Sequence, residues 1–323
     1  VTIRDAFGNT ATSATTSISL AITDGTGAAG ASLGGAVAVT AVNGVAAFGD
    51  LTVDEDGNRY TLTASASGLP SATSTTFNVG YFAAATVSAG YRHTCGLTNG
   101  GIAYCWGDNN WGQLGNGSNI GSSTPVAVSG GLTFAALSAG EDHTCGVTLV
   151  GTAYCWGYSG SGALGNGVFG SGSNYIPTPV AVAGGLAFAS VSAGSGSSCG
   201  VTPAGAAFCW GYNGAEGRLG NGSSIDSPSP VAVSGGLTFA SVSAGETGTC
   251  GATTSGSGYC WGWWPILGNG STVSSSSPVA VSGALAFATV TIGGAVVCGR
   301  TASGAAYCWG QGYLGQLGNG STA

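Results

Sequence analysis

TCGLTNGGIAYCWG, residues 94–107, sets Cys95 and Cys105 ten positions apart around a glycine-rich turn, with Trp106 and Gly107 directly after. The same phrase returns with Cys145/Cys155, Cys199/Cys209, Cys250/Cys260 and Cys298/Cys308, which uses all ten cysteines. If Thr98 and Ile102 close a hairpin, the loop is Asn99, Gly100 and Gly101, and its third position needs the left-handed conformation that glycine accepts most readily. Gly101, Gly151, Gly205, Gly256 and Gly304 hold that position. The register then sets each cysteine opposite its partner, within disulfide reach across two neighbouring strands. Zinc is the competing reading, but structural zinc sites use closely spaced Cys-x-x-Cys pairs or Cys with His, whereas these cysteines face one another across a hairpin. The expectation is one disulfide per repeat and almost no free thiol.

Outward from the hairpin, the chain from about Tyr81 onward is five copies of a unit of roughly 50 residues. Four strand-length segments recur in each, in the second copy LTFAALSAG (132–140), HTCGVT (143–148), TAYCWG (152–157) and, after a variable loop, TPVAVAGG (178–185). All are bounded by Gly, Ser or Pro. Four short strands per repeat make the blade of a β-propeller.

Composition agrees with an all-β protein. Apolar residues fall in short runs broken by Gly and Ser, helical periodicity is absent, and no run approaches the roughly 18 residues of a membrane helix. The chain has five Arg, no Lys and twelve Asp plus Glu, for a formal net charge of −7. That balance disfavours nucleic acid and anionic membranes, both of which are bound through clustered cations. Paired cysteines point to an oxidising compartment, and the expected location is extracellular or at the cell surface. The chain contains no Met, and Val1 opens no signal peptide, so a processed or excerpted part of a longer precursor is expected.

AYCWGDNNWGQLGNGS (103–118), preceded by SAGYRHTCGLTNGG (88–101), resembles the repeat of the regulator of chromosome condensation family. That resemblance covers about three quarters of the chain and implies a β-propeller, of a secreted bacterial type. Family rings usually have seven blades; five are visible here, and the last stops before its Pro-Val-Ala-Val strand, so either the ring is five-bladed or the chain is cut short. The family's founding member works on a small GTPase and on nucleosomes, yet the basic surface that chromatin requires is missing. Extracellular relatives instead use the propeller face to bind proteins, including the propeller-type inhibitors of β-lactamase.

Residues 1–79 differ in kind. Alternating strands separated by Gly, Asn and Asp turns resemble the immunoglobulin-like modules of bacterial surface proteins, with residues 5–9 and 60–64 carrying the match. The first strand of such a module would precede Val1; either it was removed or something else fills that edge. The domains expected are therefore an immunoglobulin-like sandwich over 1–79 and a propeller over 80–323. TTFNV (75–79) aligns with a leading propeller strand, so it either completes the sandwich, where Phe77 and Val79 fit the alternation, or closes the propeller. The connection to Phe82 is too short for freely moving domains.

Candidate sites are few. His93 and His143 share one repeat position, replaced by Ser197, Gly248 and Val296 elsewhere, and read as hydrogen-bonding blade residues. Asp142 beside His143 makes no triad, because adjacent strand residues point to opposite faces. DEDGN (54–58) bunches three carboxylates at a turn, either a calcium loop or a solvated one. Asp108, Glu141, Glu216, Asp226 and Glu246 are scattered over different blades, with nothing to pair them as acid and base. Asn116, Asn221, Asn269 and Asn319 each head an Asn-Gly-Ser sequon, either a glycan acceptor or a by-product of the turn. Trp111, Trp263, Trp264 and Tyr313 lie outside the repeated Trp and are candidates for a contact surface.

No motif supplies a nucleophile, phosphate cradle, metal or cofactor site, so no enzyme is expected. The function expected first is an extracellular structural protein, a cell-surface or fibre subunit assembling by strand complementation. The alternative is an adhesin or protein inhibitor that binds a protein or glycan through the propeller face.

Overall fold

A computed structural model describes residues 1–55, 57–79, 84–170 and 174–322, and the chain divides into two compact units, Val1–Ala83 and Ala84–Ala323. The connection to Phe82 and the last carboxylate of the DEDGN turn, Asp56, lie outside the described residues.

The first unit is built from short strands: β1 (Ser17–Ile22), β2 (Leu33–Gly34), β3 (Ala38–Thr40), β4 (Thr52–Val53), β5 (Gly57–Tyr60), β6 (Leu62–Ala66), β7 (Leu69–Thr73) and β8 (Phe77–Val79). They form one four-stranded sheet in the order β3-β1-β6-β7 and two strand pairs, β2-β4 and β5-β8. TTFNV thus contributes its last three residues to this unit, with Phe77 paired to Tyr60. The buried Tyr60 ring stacks on Phe77 at 5.9 Å, and its hydroxyl donates to the Glu55 carbonyl at 2.8 Å. The small core gathers Ile3, Ile18, Ala41 and Ala46. The first residues run beside 44–46, where Ile3 N–H bonds Gly44 O at 2.8 Å and Ala46 N–H bonds Val1 O at 2.9 Å.

The second unit is five antiparallel sheets. Their strands are β9 (Ala84–Ala89), β10 (His93–Thr98), β11 (Ala103–Gly107) and β12 (Ser122–Ala127); β13 (Phe134–Ala139), β14 (His143–Thr148), β15 (Ala153–Tyr158) and β16 (Tyr175–Ala181); β17 (Ser190–Ala193), β18 (Ser197–Val201), β19 (Ala207–Gly211) and β20 (Ser227–Ala232). Then follow β21 (Phe239–Ala244), β22 (Gly248–Thr253), β23 (Gly258–Gly262) and β24 (Ser275–Ala280), and last β25 (Phe287–Gly293), β26 (Val296–Thr301) and β27 (Ala306–Gly310). Each sheet runs in chain order; four have four strands, and the fifth has three among the described residues.

The opening hairpin explains the clamp. Thr98 N–H bonds Ile102 O at 3.0 Å, and Gly101 takes φ +77°, the left-handed turn expected of it. Counting back from that bonded pair, hydrogen-bonded and non-bonded pairs alternate, so Cys95 and Cys105 form a non-bonded pair, the type with the closest approach. The same register recurs in the other hairpins, with Cys145 opposite Cys155, Cys199 opposite Cys209, Cys250 opposite Cys260 and Cys298 opposite Cys308. All five pairs are disulfide-bonded, with Cα atoms 4.0–4.1 Å apart, and no free cysteine occurs among the described residues.

Strand alternation gives every blade two faces. One carries the disulfide with the residue two before it, as in His143, Cys145 and Val147; the other carries Thr144, Gly146 and Trp156. On this second face glycine is required: a Cβ on Gly146 would lie 2.6 Å from Phe134 Cδ1, so its absence lets the Phe ring lie flat on the sheet. The disulfide face of each of the first four blades packs against the Trp-Phe face of the next. One such core joins Cys95, Cys105 and Leu114 to Phe134 and Trp156, and equivalent clusters follow at the next three junctions. Cys155, Cys209 and Cys260 are fully buried in those three clusters. The sequence presents them only as clamps within their own hairpins; packing makes them core residues between blades as well.

Two polar bonds repeat at these junctions. The indole N–H of Trp156, Trp210, Trp261 and Trp309 donates to the carbonyl of Gln113, Ala163, Arg218 and Ile266 in the preceding blade, at 2.9, 3.1, 2.9 and 2.8 Å. Along the inner strands, Ser88, Ser138, Ser192 and Ser243 hydroxyls accept the N–H of Ala139, Ala193, Ala244 and Ile292. Neighbouring blades are therefore held in one fixed angular step.

Candidate binding face

In a blade of four antiparallel strands, the turn from first to second strand and the loop from third to fourth emerge on the same side. Backbone bonds join the two: Asp108 N–H to Arg92 O, Tyr158 to Asp142 O, Tyr212 to Gly196 O, Trp263 to Thr247 O and Gln311 to Ala295 O. One face of the second unit thus carries both sets of connections from every blade.

At its centre lies a cavity of about 440 Å³, walled by the Ala-Gly steps that end the inner strands of the first four blades and by Gly293 and Gly294 of the fifth. Tyr91, Glu141, Ser195 and Glu246 project at its edge. Glu141 accepts a hydrogen bond from Ser195, and Arg218 donates to the Glu246 carbonyl. Two of the carboxylates that sequence left scattered, Glu141 and Glu246, are in this way brought to one rim. Burial, with Glu141 and Asp108 adding repulsion, raises the Asp142 carboxyl above its ordinary value. Column alignment of the repeats carried the missed signal: the residue after each Ala-Gly step is the rim residue.

Around the cavity, the loops after the third strands present aromatic side chains. Trp111 is 37% exposed and meets Tyr158 of the next blade edge-to-face at 5.4 Å. Tyr212, exposed, lies under the Arg218 guanidinium at 4.8 Å from the ring centre. Trp264 is exposed beside the half-buried Trp263, 6.3 Å between centres, and Tyr313 is the most open of the set. Tyr158 and Tyr212, each directly after a Trp-Gly pair, join the four contact residues expected from sequence.

Buried asparagines stiffen these loops. Asn213 side-chain N–H groups bond Ser223 O at 2.8 Å and Ile225 O at 3.0 Å, while its Oδ1 accepts Leu219 N–H at 2.8 Å. Asn109 does the same in the first blade with Ser118 O, Ile120 O and Leu114 N–H. The sequon asparagines Asn116, Asn221, Asn269 and Asn319 occupy the turn that follows, each accepting the N–H of the Ser two residues on.

The two histidines sit beneath this face as junction residues. His93 Nε2 bonds Thr144 Oγ1 at 2.8 Å, and that hydroxyl donates to Gln113 O at 3.0 Å, which leaves the imidazole as the donor and fixes its proton on Nε2. His143 repeats the arrangement with Ser198 and Ala163 O. Both Nδ1 atoms are buried without a partner. Burial lowers both pKa values to about 4, the Asp108 charge opposing it at His93 and the His93 charge adding to it at His143. No cluster of three or more His, Cys, Asp or Glu suited to a metal occurs among the described residues, and Asp54 of the DEDGN turn accepts the Ser32 N–H at 2.6 Å.

Two family models describing the regulator of chromosome condensation (RCC1) repeat match this chain, one over residues 100–147, 150–201 and 204–252, the other over 84–113 and 134–163. Together they span more than half of the 323 residues, and the chain belongs to the RCC1-repeat family of β-propeller-type proteins. Among particular proteins, the ultraviolet-B receptor UVR8 of Arabidopsis thaliana is 48% identical over 42 residues, which is 13% of this chain and 10% of that receptor. The crystal structure of human WBSCR16 superposes with a TM-score of 0.67 at 18% identity, covering 95% of this chain and 91% of that one, and shares the fold. Prp20p of Saccharomyces cerevisiae, whose structure was described with its binding to Gsp1p and histones, aligns over 73% of this chain and 74% of its own at a TM-score of 0.48 and 18% identity.

Proposed function

We propose that this chain is a non-enzymatic extracellular binding module, which takes a protein partner on the face that carries the cavity and the aromatic loops. The observation that carries this reading is the rim itself: Trp111 and Tyr212 are exposed on loops held from within by Asn109 and Asn213, and Trp264 is exposed on the equivalent loop of the fourth blade, the kind of anchor that dominates protein interfaces at low entropic cost. Five acidic side chains, Asp108, Glu141, Asp142, Glu216 and Glu246, stand on this face against Arg92 and Arg218. A partner with a basic, partly apolar protrusion matches that charge. RCC1-type propellers serve generally as protein-binding scaffolds, which supports the class of function. The five disulfides support an oxidising, extracellular setting, and no helix among the described residues is long and apolar enough to cross a membrane.

The test compares proteins captured from an extracellular fraction by the parent chain and by a Trp111→Ala/Trp264→Ala variant, followed by affinity measurement with the captured protein. Loss of at least about tenfold in affinity is expected. Equal binding by both removes the aromatic rim from the reading. Intact mass above the 30.8 kDa of the bare chain, from an expression host that glycosylates, is the expected sign that the sequon turns accept glycans.

A further inference from the structure

Around the central cavity of the second unit, the backbone donors of the first blades are already committed. The N–H after each Ala-Gly step bonds the glycine carbonyl of the next blade: Tyr91 to Gly140 O at 3.1 Å, Glu141 to Gly194 O at 3.0 Å and Ser195 to Gly245 O at 3.4 Å. The N–H groups of Gly90, Gly140, Gly194 and Gly245 turn back to the second strand of their own blade, each at 2.8 Å. The Ser195 hydroxyl is given to the Glu141 carboxylate. A carbonyl oxygen carries two lone pairs, so Gly140, Gly194 and Gly245 each keep an acceptor site after these bonds. The wall they form offers acceptors to whatever enters.

Two carboxylates add to this wall. Glu141 stands on the second blade and Glu246 on the fourth, with Glu246 Oε2 3.5 Å from where a Cβ on Gly294 of the fifth would be. Behind the wall, two buried imidazoles have the same sign. A Cβ on Gly90 would lie 2.8 Å from His93 Nδ1 and 2.6 Å from its Cε1, and one on Gly140 would lie 3.2 Å from His143 Cε1, so these ring edges face the wall. With the proton on Nε2, Nδ1 is the lone-pair end of the ring dipole, and in both residues it is buried without a partner. Among the described residues no cationic side chain lines the cavity, and the chain has no Lys. The two arginines of this face are engaged elsewhere: Arg92 lies over the Tyr91 ring at 5.2 Å, and Arg218 is 3.9 Å from the Glu216 carboxylate.

We propose that this cavity is the receptor for one cationic side chain, a lysine or an arginine, carried by the protein partner on the surface that meets the aromatic loops. The proposal rests on the reading of that face as a binding face, and names the group that enters its centre. The ammonium or guanidinium donates to the Glu141 and Glu246 carboxylates and to the remaining lone pairs of the glycine carbonyls, in charge-assisted bonds stronger than neutral ones. A volume of about 440 Å³ lies in the range of ligand pockets and admits the stem of a long side chain with its charged head. No group of three or more side chains suited to a metal accompanies the carboxylates among the described residues, which favours an organic cation over a metal ion.

The test titrates the 323-residue chain, isotopically labelled for NMR at neutral pH, with the Nα-acetyl methylamides of lysine, arginine and norleucine, the last as the uncharged control. The lysine or the arginine compound is expected to shift the amides of residues 140–141, 194–195 and 245–246 saturably, and the norleucine compound to leave them in place. In a Glu141→Gln/Glu246→Gln variant with an otherwise unchanged amide spectrum, the dissociation constant is expected to rise at least about fivefold. Failure of both cationic compounds to shift these amides, equal shifts from norleucine, or shifts confined to the aromatic loops around residues 111 and 264 overturns the proposal. So does a variant that binds like the parent. The norleucine comparison is made on the parent chain and stands whether or not the variant folds. No partner protein takes part, so this titration and the capture experiment with the aromatic variant succeed or fail separately.

Discussion

His93 and His143 are the residues at which solution conditions reach the blade junctions. Each is neutral in the folded chain, giving its Nε2 proton to a hydroxyl of the next blade, and each has a folded pKa of about 4 against an ordinary 6.5. The unfolded chain therefore takes up protons first as pH falls. The stabilisation is complete above about pH 6.5 and is lost progressively toward pH 4, with each histidine worth on the order of 3 kcal/mol. Denaturant midpoints measured from pH 7 to pH 4 are expected to fall through this window, and a His93→Gln/His143→Gln variant to flatten the fall. Gly115 makes a second residue-scale case. Gly115→Ala is expected to cost about 2 kcal/mol or more, because the methyl group meets the Trp156 indole at φ +70°; Gly131→Ala, at φ +64° with nothing within 4 Å, is expected to cost about 1 kcal/mol for conformation alone. Comparing the two variants by chemical denaturation separates the space requirement from the backbone requirement.

The hairpin is the unit at the next scale, and its register was fully readable. Gly101 in the turn dictates which residues face each other, and the period of two then places Cys95 opposite Cys105 without any tertiary information. What the period could not show is the environment of each bond. In four of the five disulfides both cysteines are fully buried under the next blade, Cys155, Cys209 and Cys260 among them, while Cys298 and Cys308 are half-buried. Under native conditions with a thiol reductant, Cys298–Cys308 is expected to open first, read by alkylation and mass spectrometry; simultaneous opening of all five would contradict this ordering. Each clamp closes a short loop, so its loss from a double alanine variant is expected to cost somewhat under about 3 kcal/mol. The loops after the third strands follow the same logic. Their aromatic content was evident, but the buried Asn109 and Asn213 that hold them were not, since an asparagine in a loop reads as a turn former until its partners are known.

Across the second unit, each hydrophobic cluster joins one blade to the next, so stability is carried by nearest neighbours. Trp309→Ala is expected to raise hydrogen exchange in β25–β27 while leaving the β13–β15 amides as protected as in the parent. Global unfolding by the same substitution would show that the blades act as one cooperative block. The binding face is also a property at this scale, because Glu141 and Glu246 belong to different repeats and meet only when successive blades turn about one axis. Affinity for a basic partner is expected to weaken with added salt, an effect the charge-neutralising Glu141→Gln/Glu246→Gln variant should reduce.

Local rules act over two to ten residues, and there the sequence by itself determined this protein: glycine turns, strand alternation, the cysteine pairing, and the repetition that makes a blade. It also left TTFNV between two sheets, because alternation describes which face a residue takes and not which strand lies beside it; pairing of Phe77 with Tyr60 assigned the segment to the first unit. Only the tertiary structure decided what each blade face meets. The Trp after the second cysteine is a core residue because the preceding blade supplies a carbonyl and a glycine cradle, and Glu141 and Glu246 share one cavity because the junctions bring different blades together. Those contacts join residues some 50 positions apart, and their geometry depends on packing between faces that no local pattern encodes.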